Sequence, residues 1–168
     1  NMEKYLRHCL DSLIVPNMDK VEVLVINDGS KDSSSAIGHE YQDKYPQTFR
    51  VIDKENGNYG SCVNRGLKEA TGKYVKVLDA DDSFDTGNFK EYVDYLEKFD
   101  VDLVLNDFVY ITQDNFVCAK YTGNLLPTNE IFPFKELGAN CNMMMHAVAY
   151  KTDNIRNIPG GYHQTEGI

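Results

Sequence analysis

At 168 residues, 42% hydrophobic and 26% charged, the chain is long enough to bury a core without disulfide or metal staples, and it reads as one globular domain. Seventeen Lys and Arg against 26 Asp and Glu leave a formal charge of -9, which argues against nucleic-acid binding through phosphates and against a polybasic membrane anchor. A phosphorylated ligand stays open if a cation stands between it and the protein.

In chain order, Leu6, Cys9, Leu10 and Leu13 recur at helical spacing and predict an amphipathic helix over 2–13. Residues 21–26 (VEVLVI) form an apolar strand that runs into Asn-Asp-Gly-Ser, a turn signal. A polar helix is expected over 32–45, with Asp32 or Ser33 as its cap. A short strand at 49–52 leads to a Gly/Asn-rich loop at 56–60 and then a helix over 59–70, closed by Gly72. The strand 73–78 interleaves Val75 and Val77 with Lys73 and Lys76, and it ends in Asp79-Ala80-Asp81-Asp82. A helix over 88–99 and a strand over 102–106 follow. Residues 108–122 are irregular and β-like, 134–137 form a helical turn, 143–150 a strand and 151–157 another helical turn.

Alternating helices and strands over the first 106 residues predict an α/β fold, a Rossmann-like and mostly parallel sheet flanked by helices, with a mixed, less regular C-terminal half. A chain that opens on a helix in such a fold calls for a strand before Asn1, so 1–168 reads as a single domain truncated at both ends. No apolar run approaches the roughly 18 residues of a membrane span. The four cysteines (Cys9, Cys62, Cys118, Cys141) are scattered without C-x-x-C spacing, which predicts free thiols and a cytoplasmic location, with peripheral association at the inner membrane face open.

Ligands of open α/β sheets bind outside the carboxyl ends of the strands. Asp28 stands at one such end, and Asp79, Asp81 and Asp82 at another. Three carboxylates within four residues repel one another unless a cation is shared, and hard oxygen donors suit Mg2+ or Mn2+. Aspartates after a strand are equally common as loop and cap residues, so composition alone leaves both readings open. A calcium loop is excluded, because Phe84 stands where glycine is required and Lys90 where glutamate is.

Order and spacing are more specific than any single motif. Asn-Asp-Gly-Ser at 27–30, Glu-Asn-Gly-Asn-Tyr-Gly-Ser-Cys-Val-Asn-Arg-Gly-Leu at 55–67 and Ala-Thr-Gly-Lys-Tyr-Val-Lys-Val-Leu-Asp-Ala-Asp-Asp at 70–82 together resemble the family 2 glycosyltransferases of the GT-A fold. The resemblance implies an enzyme that transfers a sugar from a nucleotide-diphospho-sugar, most often a UDP-sugar, to an acceptor hydroxyl with inversion. Asp28 would contact the nucleobase, and Asn56, Gly60 and Asn64 would line the nucleotide pocket. Asp79-Ala80-Asp81 would be the D-x-D motif, with Asp81 and Asp82 on a Mn2+ or Mg2+ ion and Asp79 near the ribose. The arginine usual before the family's asparagine is Val63 here, and Arg65 follows instead. The catalytic base is expected beyond Ile168, with Glu166 the candidate inside the chain. The acceptor would be a saccharide or lipid-linked saccharide, in surface polysaccharide or glycoconjugate synthesis. Two other classes stay open from the residues alone: a non-catalytic nucleotide-sugar-binding domain, and a phosphoryl-receiving α/β domain with an acidic pocket.

Overall fold

The computed structural model describes residues 1–112, 117–121, 130, 131, 133, 135, 144–156 and 158. Helix α1 (Glu3–Asp11) precedes strand β1 (Val23–Asp28), helix α2 (Ser34–Lys44) and strand β2 (Phe49–Lys54). Then come α3 (Asn58–Glu69), β3 (Tyr74–Lys76), α4 (Thr86–Lys98), β4 (Leu103–Leu105), β5 (Phe108–Ile111), β6 (Val117–Tyr121), β7 (Val148–Lys151) and α5 (Thr152–Arg156).

The α/β architecture is the expected one. β1 and β2 pair in parallel, from Val23 opposite Phe49 to Asp28 opposite Lys54. β3 and β4 both run antiparallel to β7, which lies between them, so they share one direction. β5 and β6 form a separate antiparallel pair with a bulge at Tyr110 and Ile111, in keeping with the irregular second half. Some bounds differ from the sequence reading. β1 runs on through Asn27 and Asp28, because both pair with β2. β3 stops at Lys76, where Val77 and Leu78 already lead into the acidic loop. The strand expected over 143–150 starts only at Val148, after a 3-10 turn at Met145–Ala147. The helical turn expected at 134–137 lies almost wholly outside the described residues.

Apolar side chains from α1, α2, β2 and α4 meet in one core, which includes Leu6, Leu10, Ile37, Phe49, Phe89 and Val93. Phe49 is 1% exposed and touches the rings of Tyr41 and Tyr45, at 5.7 and 5.9 Å between centroids. α2 lies close on the β1–β2 pair because Gly38 faces it. A Cβ there would come within 3.2 Å of Val51 and 3.3 Å of Val25.

Two carboxylates tie the helices to the strand ends. Asp32 accepts from the Glu3 and Ser34 amides, both at 3.0 Å, while Glu3 accepts from the Ser33 amide at 2.9 Å. Asp32 thus serves the first turns of α1 and α2 together, where four N–H groups lack helical partners. Asp53 accepts from Asn27 at 2.6 Å, Ser35 at 2.8 Å and His39 at 2.7 Å, joining β1, α2 and β2. Donation by Ser34 holds the Asp32 carboxyl down to about 2, and donation by Asn27, His39 and Ser35 holds that of Asp53 down to about 2.

Between β1 and β3 lies an apolar slot of about 910 Å3, lined by Leu10, Val23, Val25, Leu67, Val75 and Val77 among others. Among the described residues no ladder joins β1 to β3, so the slot separates two sheet edges.

Removing the Phe49 ring by Phe49→Ala is expected to cost about 3–5 kcal/mol, read from urea unfolding. The Asp32 and Asp53 contacts stabilise the fold fully above the ordinary carboxylate range and fade as pH falls through about 2, because both carboxyls are held below their unfolded values. Asp32→Asn and Asp53→Asn are therefore expected to lower the melting temperature at pH 7 and to converge with the parent near pH 2. A gap that stays constant with pH would contradict this.

Candidate active site

One mouth of the slot opens at the carboxyl ends of β1 and β3. Asn27, Ser30, Tyr59, Cys62, Asp79 and Asp81 line it. Two of the three sequence motifs thus face each other across it, and α3 contributes the third through Tyr59 and Cys62.

On the β1 side, Gly29 adopts φ +69°, which its missing Cβ makes easy, and the chain turns there into α2. Asp28 closes the β1–β2 register opposite Lys54, and its carboxylate is paired with the Lys54 ammonium. The Gly57 amide donates to the same carboxylate at 2.9 Å, and Asn56 Nδ2 donates to the Asp28 carbonyl at 3.1 Å. Lys54 also donates to Ser61 Oγ at 2.9 Å. Burial alone would push the Asp28 carboxyl up, but Lys54 and the Gly57 amide hold it below the usual carboxylate range. Asp28 therefore fastens the 55–57 loop and the start of α3. At that start Asn58 has φ 66°, a left-handed conformation that asparagine tolerates better than most residues. Gly60 and Asn64 follow one turn apart on α3. Arg65 donates to Glu69 at 2.9 Å, and Glu69 also binds Arg50 at 3.0 Å.

On the β3 side, the Asp82 amide donates to the Asp79 carbonyl at 3.0 Å and closes the acidic loop into a turn. α1 cradles this turn from below. Cys9 Sγ lies 3.7 Å from the Asp79 carbonyl, and Ser12 Oγ accepts from the Phe84 amide at 3.1 Å. Burial, then the Asp82, Asp81 and Asp79 charges, push the Cys9 thiol up to about 12. Desolvation first, and then Asp79 and Asp81, raise the Asp82 carboxyl, while His146 and Lys76 oppose the rise. Among the described residues none of the three carboxylates has a cation within ion-pair distance.

The structure brings Asp79, Ala80 and Asp81 to the slot, whereas Asp28, Asn56, Gly60, Asn64 and Asp82 lie outside its lining. Asn56 instead faces a shallow depression with Asn1, Gly29, Lys31 and Asp53. Glu166 and the rest of 159–168 lie outside the described residues. Two residues escaped the sequence reading. Lys54 sits beyond the strand predicted at 49–52, and Lys76 was read only as a polar residue alternating with Val75 and Val77. In the structure Lys76 is largely enclosed, with its ammonium on Asn106 Oδ1 at 2.9 Å and the His146 carbonyl at 2.7 Å.

Hard carboxylates crowded into one loop, where Asp79 and Asp81 help raise the Asp82 carboxyl, fit a divalent cation by donor chemistry. Among the described residues no group of three or more His, Cys, Asp or Glu converges to hold an ion by itself. A cation here would take one or two carboxylates and fill its remaining positions from a ligand, as Mg2+-type ions do with phosphates.

No described helix is long and apolar enough to cross a membrane. The putative glycosyltransferase EpsH of Bacillus subtilis is 42% identical over 82 residues, which is 49% of this chain and 24% of EpsH. S. aureus TarS 1–349 superposes with a TM-score of 0.66 at 23% identity over 92% of this chain and 47% of TarS 1–349, and TarS 1–349 has also been solved in complex with UDP and with UDP-GlcNAc. The mannosyltransferase PcManGT of Pyrobaculum calidifontis, solved with GDP-Man and Mn2+, superposes with a TM-score of 0.53 at 21% identity over 62% of this chain and 32% of PcManGT. These likenesses agree with the GT-A fold, and this chain spans less than half the length of each. The model of the family "Glycosyl transferase family 2" matches residues 1–156, and the chain belongs to that family.

Proposed function

We propose that this chain carries the donor half of an inverting glycosyltransferase, which binds a nucleotide-diphospho-sugar across the slot mouth with a divalent cation at the acidic loop. The observation that carries the reading is the meeting of β1, α3 and β3 ends at one mouth, where the carboxylates of the acidic loop have no ion-pair partner among the described residues. The nucleotide complexes of TarS and the GDP-Man and Mn2+ complex of PcManGT support it by analogy.

Asp81 and Asp82 would hold the cation, Mn2+ or Mg2+. The cation supplies Lewis acidity to the departing diphosphate. Asp79 would approach the ribose. Asp28, already bound by Lys54 and Gly57, shapes the loop of Asn56 so that Asn56, Gly60 and Asn64 border the nucleotide side. The apolar walls of the slot limit water around the mouth. Transfer itself needs a carboxylate base at the acceptor hydroxyl. We assign that base outside the described residues. The acceptor on this reading is a saccharide or a lipid-linked saccharide in surface polysaccharide or glycoconjugate synthesis, and the protein acts at the cytoplasmic side.

Titration calorimetry of the protein that carries this chain is expected to show UDP binding strengthened by Mn2+, with Asp81→Ala abolishing the Mn2+ effect. Binding indifferent to Mn2+, or unchanged in Asp81→Ala, would sink the reading. In donor-hydrolysis and transfer assays the 168-residue chain alone is expected to turn over little or no donor. Robust transfer by that chain would put the base within it, with Glu166 the first residue to replace by Gln.

A further inference from the structure

The acidic loop has a built-in counter-charge in Lys76, to which the family resemblance assigns no role. Lys76 ends β3 with its ammonium pointing beneath the loop. It donates to Asn106 Oδ1 at 2.9 Å and to the His146 carbonyl at 2.7 Å. The rings of Phe84 and Tyr92 flank it, each 5.9 Å from Nζ. Among the described residues no carboxylate comes within ion-pair distance of it. Three elements therefore hold one cation by neutral acceptors and aromatic faces, and its charge is left to act through space on Asp82.

We propose that Lys76 is a positioning residue that sets which ligand the acidic loop takes first, disfavouring a free divalent cation and favouring the anionic nucleotide diphosphate. The inference rests on the nucleotide site proposed above. Its physics is Coulombic. A fixed positive charge in a poorly hydrated setting repels an arriving dication and attracts a diphosphate, while the cation–diphosphate pair, nearly neutral, feels it little. Lys76 also opposes, at Asp82, the charge of Asp79 and Asp81. Burial lowers the Lys76 ammonium to about 8, so it remains mostly charged at neutral pH.

The test compares Lys76→Met, Lys76→Gln and Lys76→Arg in the protein that carries this chain. Free Mn2+ binding is followed by paramagnetic resonance, and UDP binding in EDTA by calorimetry. Lys76→Met is expected to bind Mn2+ about three- to tenfold more tightly and UDP without metal weaker by a similar factor. The Mn2+–UDP pair should shift much less. Lys76→Gln keeps a donor for Asn106 and His146 without the charge. It should behave like Lys76→Met and serves if the methionine variant does not fold. Lys76→Arg should stay within about twofold of the parent for both ligands. Opposite shifts for cation and anion cannot arise from loosened packing, which would weaken both. Parallel weakening in a folded variant, or no shift, would overturn this inference alone. A parent protein that binds neither Mn2+ nor UDP would overturn the site together with it.

Discussion

Lys76 brings a positive charge into a poorly hydrated corner where β3, β4 and the turn before β7 converge, and the acidic loop can sit only where that corner allows. The ammonium needs acceptors, and Asn106 and the His146 carbonyl supply them. Asn106 is fixed in turn by its amide on the Ala147 carbonyl at 2.9 Å. β7 must therefore enter between β3 and β4, although it runs against both. From the other side α1 supports the loop through Cys9 and Ser12. A loop held from both sides keeps Asp79 and Asp81 at the slot mouth.

The opposite rim is settled differently. There Lys54 and the Gly57 amide occupy the Asp28 carboxylate, so its charge is used inside the protein to shape a loop. The sequence reading gave Asp28 a direct role at the nucleobase. On the geometry, its first task is to hold the 55–57 segment against the end of β1, and any contact with a ligand is made by a carboxylate already paired.

The large elements were legible because their signals are local. Helical spacing of Leu6, Cys9, Leu10 and Leu13, the apolar run into Asn-Asp-Gly-Ser and the run into Asp-Ala-Asp-Asp each marked an element to within a few residues. The family resemblance carried by those motifs also held, over nearly the whole chain. What stayed hidden was long-range. Alternation along 73–78 set Lys76 against Val75 and Val77 and carried no sign of what would cover it. Here Asn106, the His146 carbonyl and the rings of Phe84 and Tyr92 enclose the ammonium, and no local pattern announces a partner 70 residues away. The same blindness hid the Asp28–Lys54 pair, since it depends on the register of two parallel strands. The 3-10 turn at Met145–Ala147 looked like strand because Met-Met-Met-His-Ala-Val is apolar but for His146 and has no helical or strand period.

Seen together, the two rims show that the carboxylates of this acidic protein are used in two ways. A carboxylate that is paired internally neither repels a phosphate strongly nor attracts a cation. Asp28, Asp32 and Asp53 are all spent in this way, on Lys54, on helix-start amides and on Asn27, Ser35 and His39. The carboxylates of the acidic loop are not, and Lys76 balances them only in part and only from behind. Of the aspartates at the ends of β1 and β3, those without an ion-pair partner among the described residues thus lie on one rim only. The formal charge of -9 counts both kinds of carboxylate alike. Only the unpaired kind determines where a cation, and any diphosphate it carries, can bind.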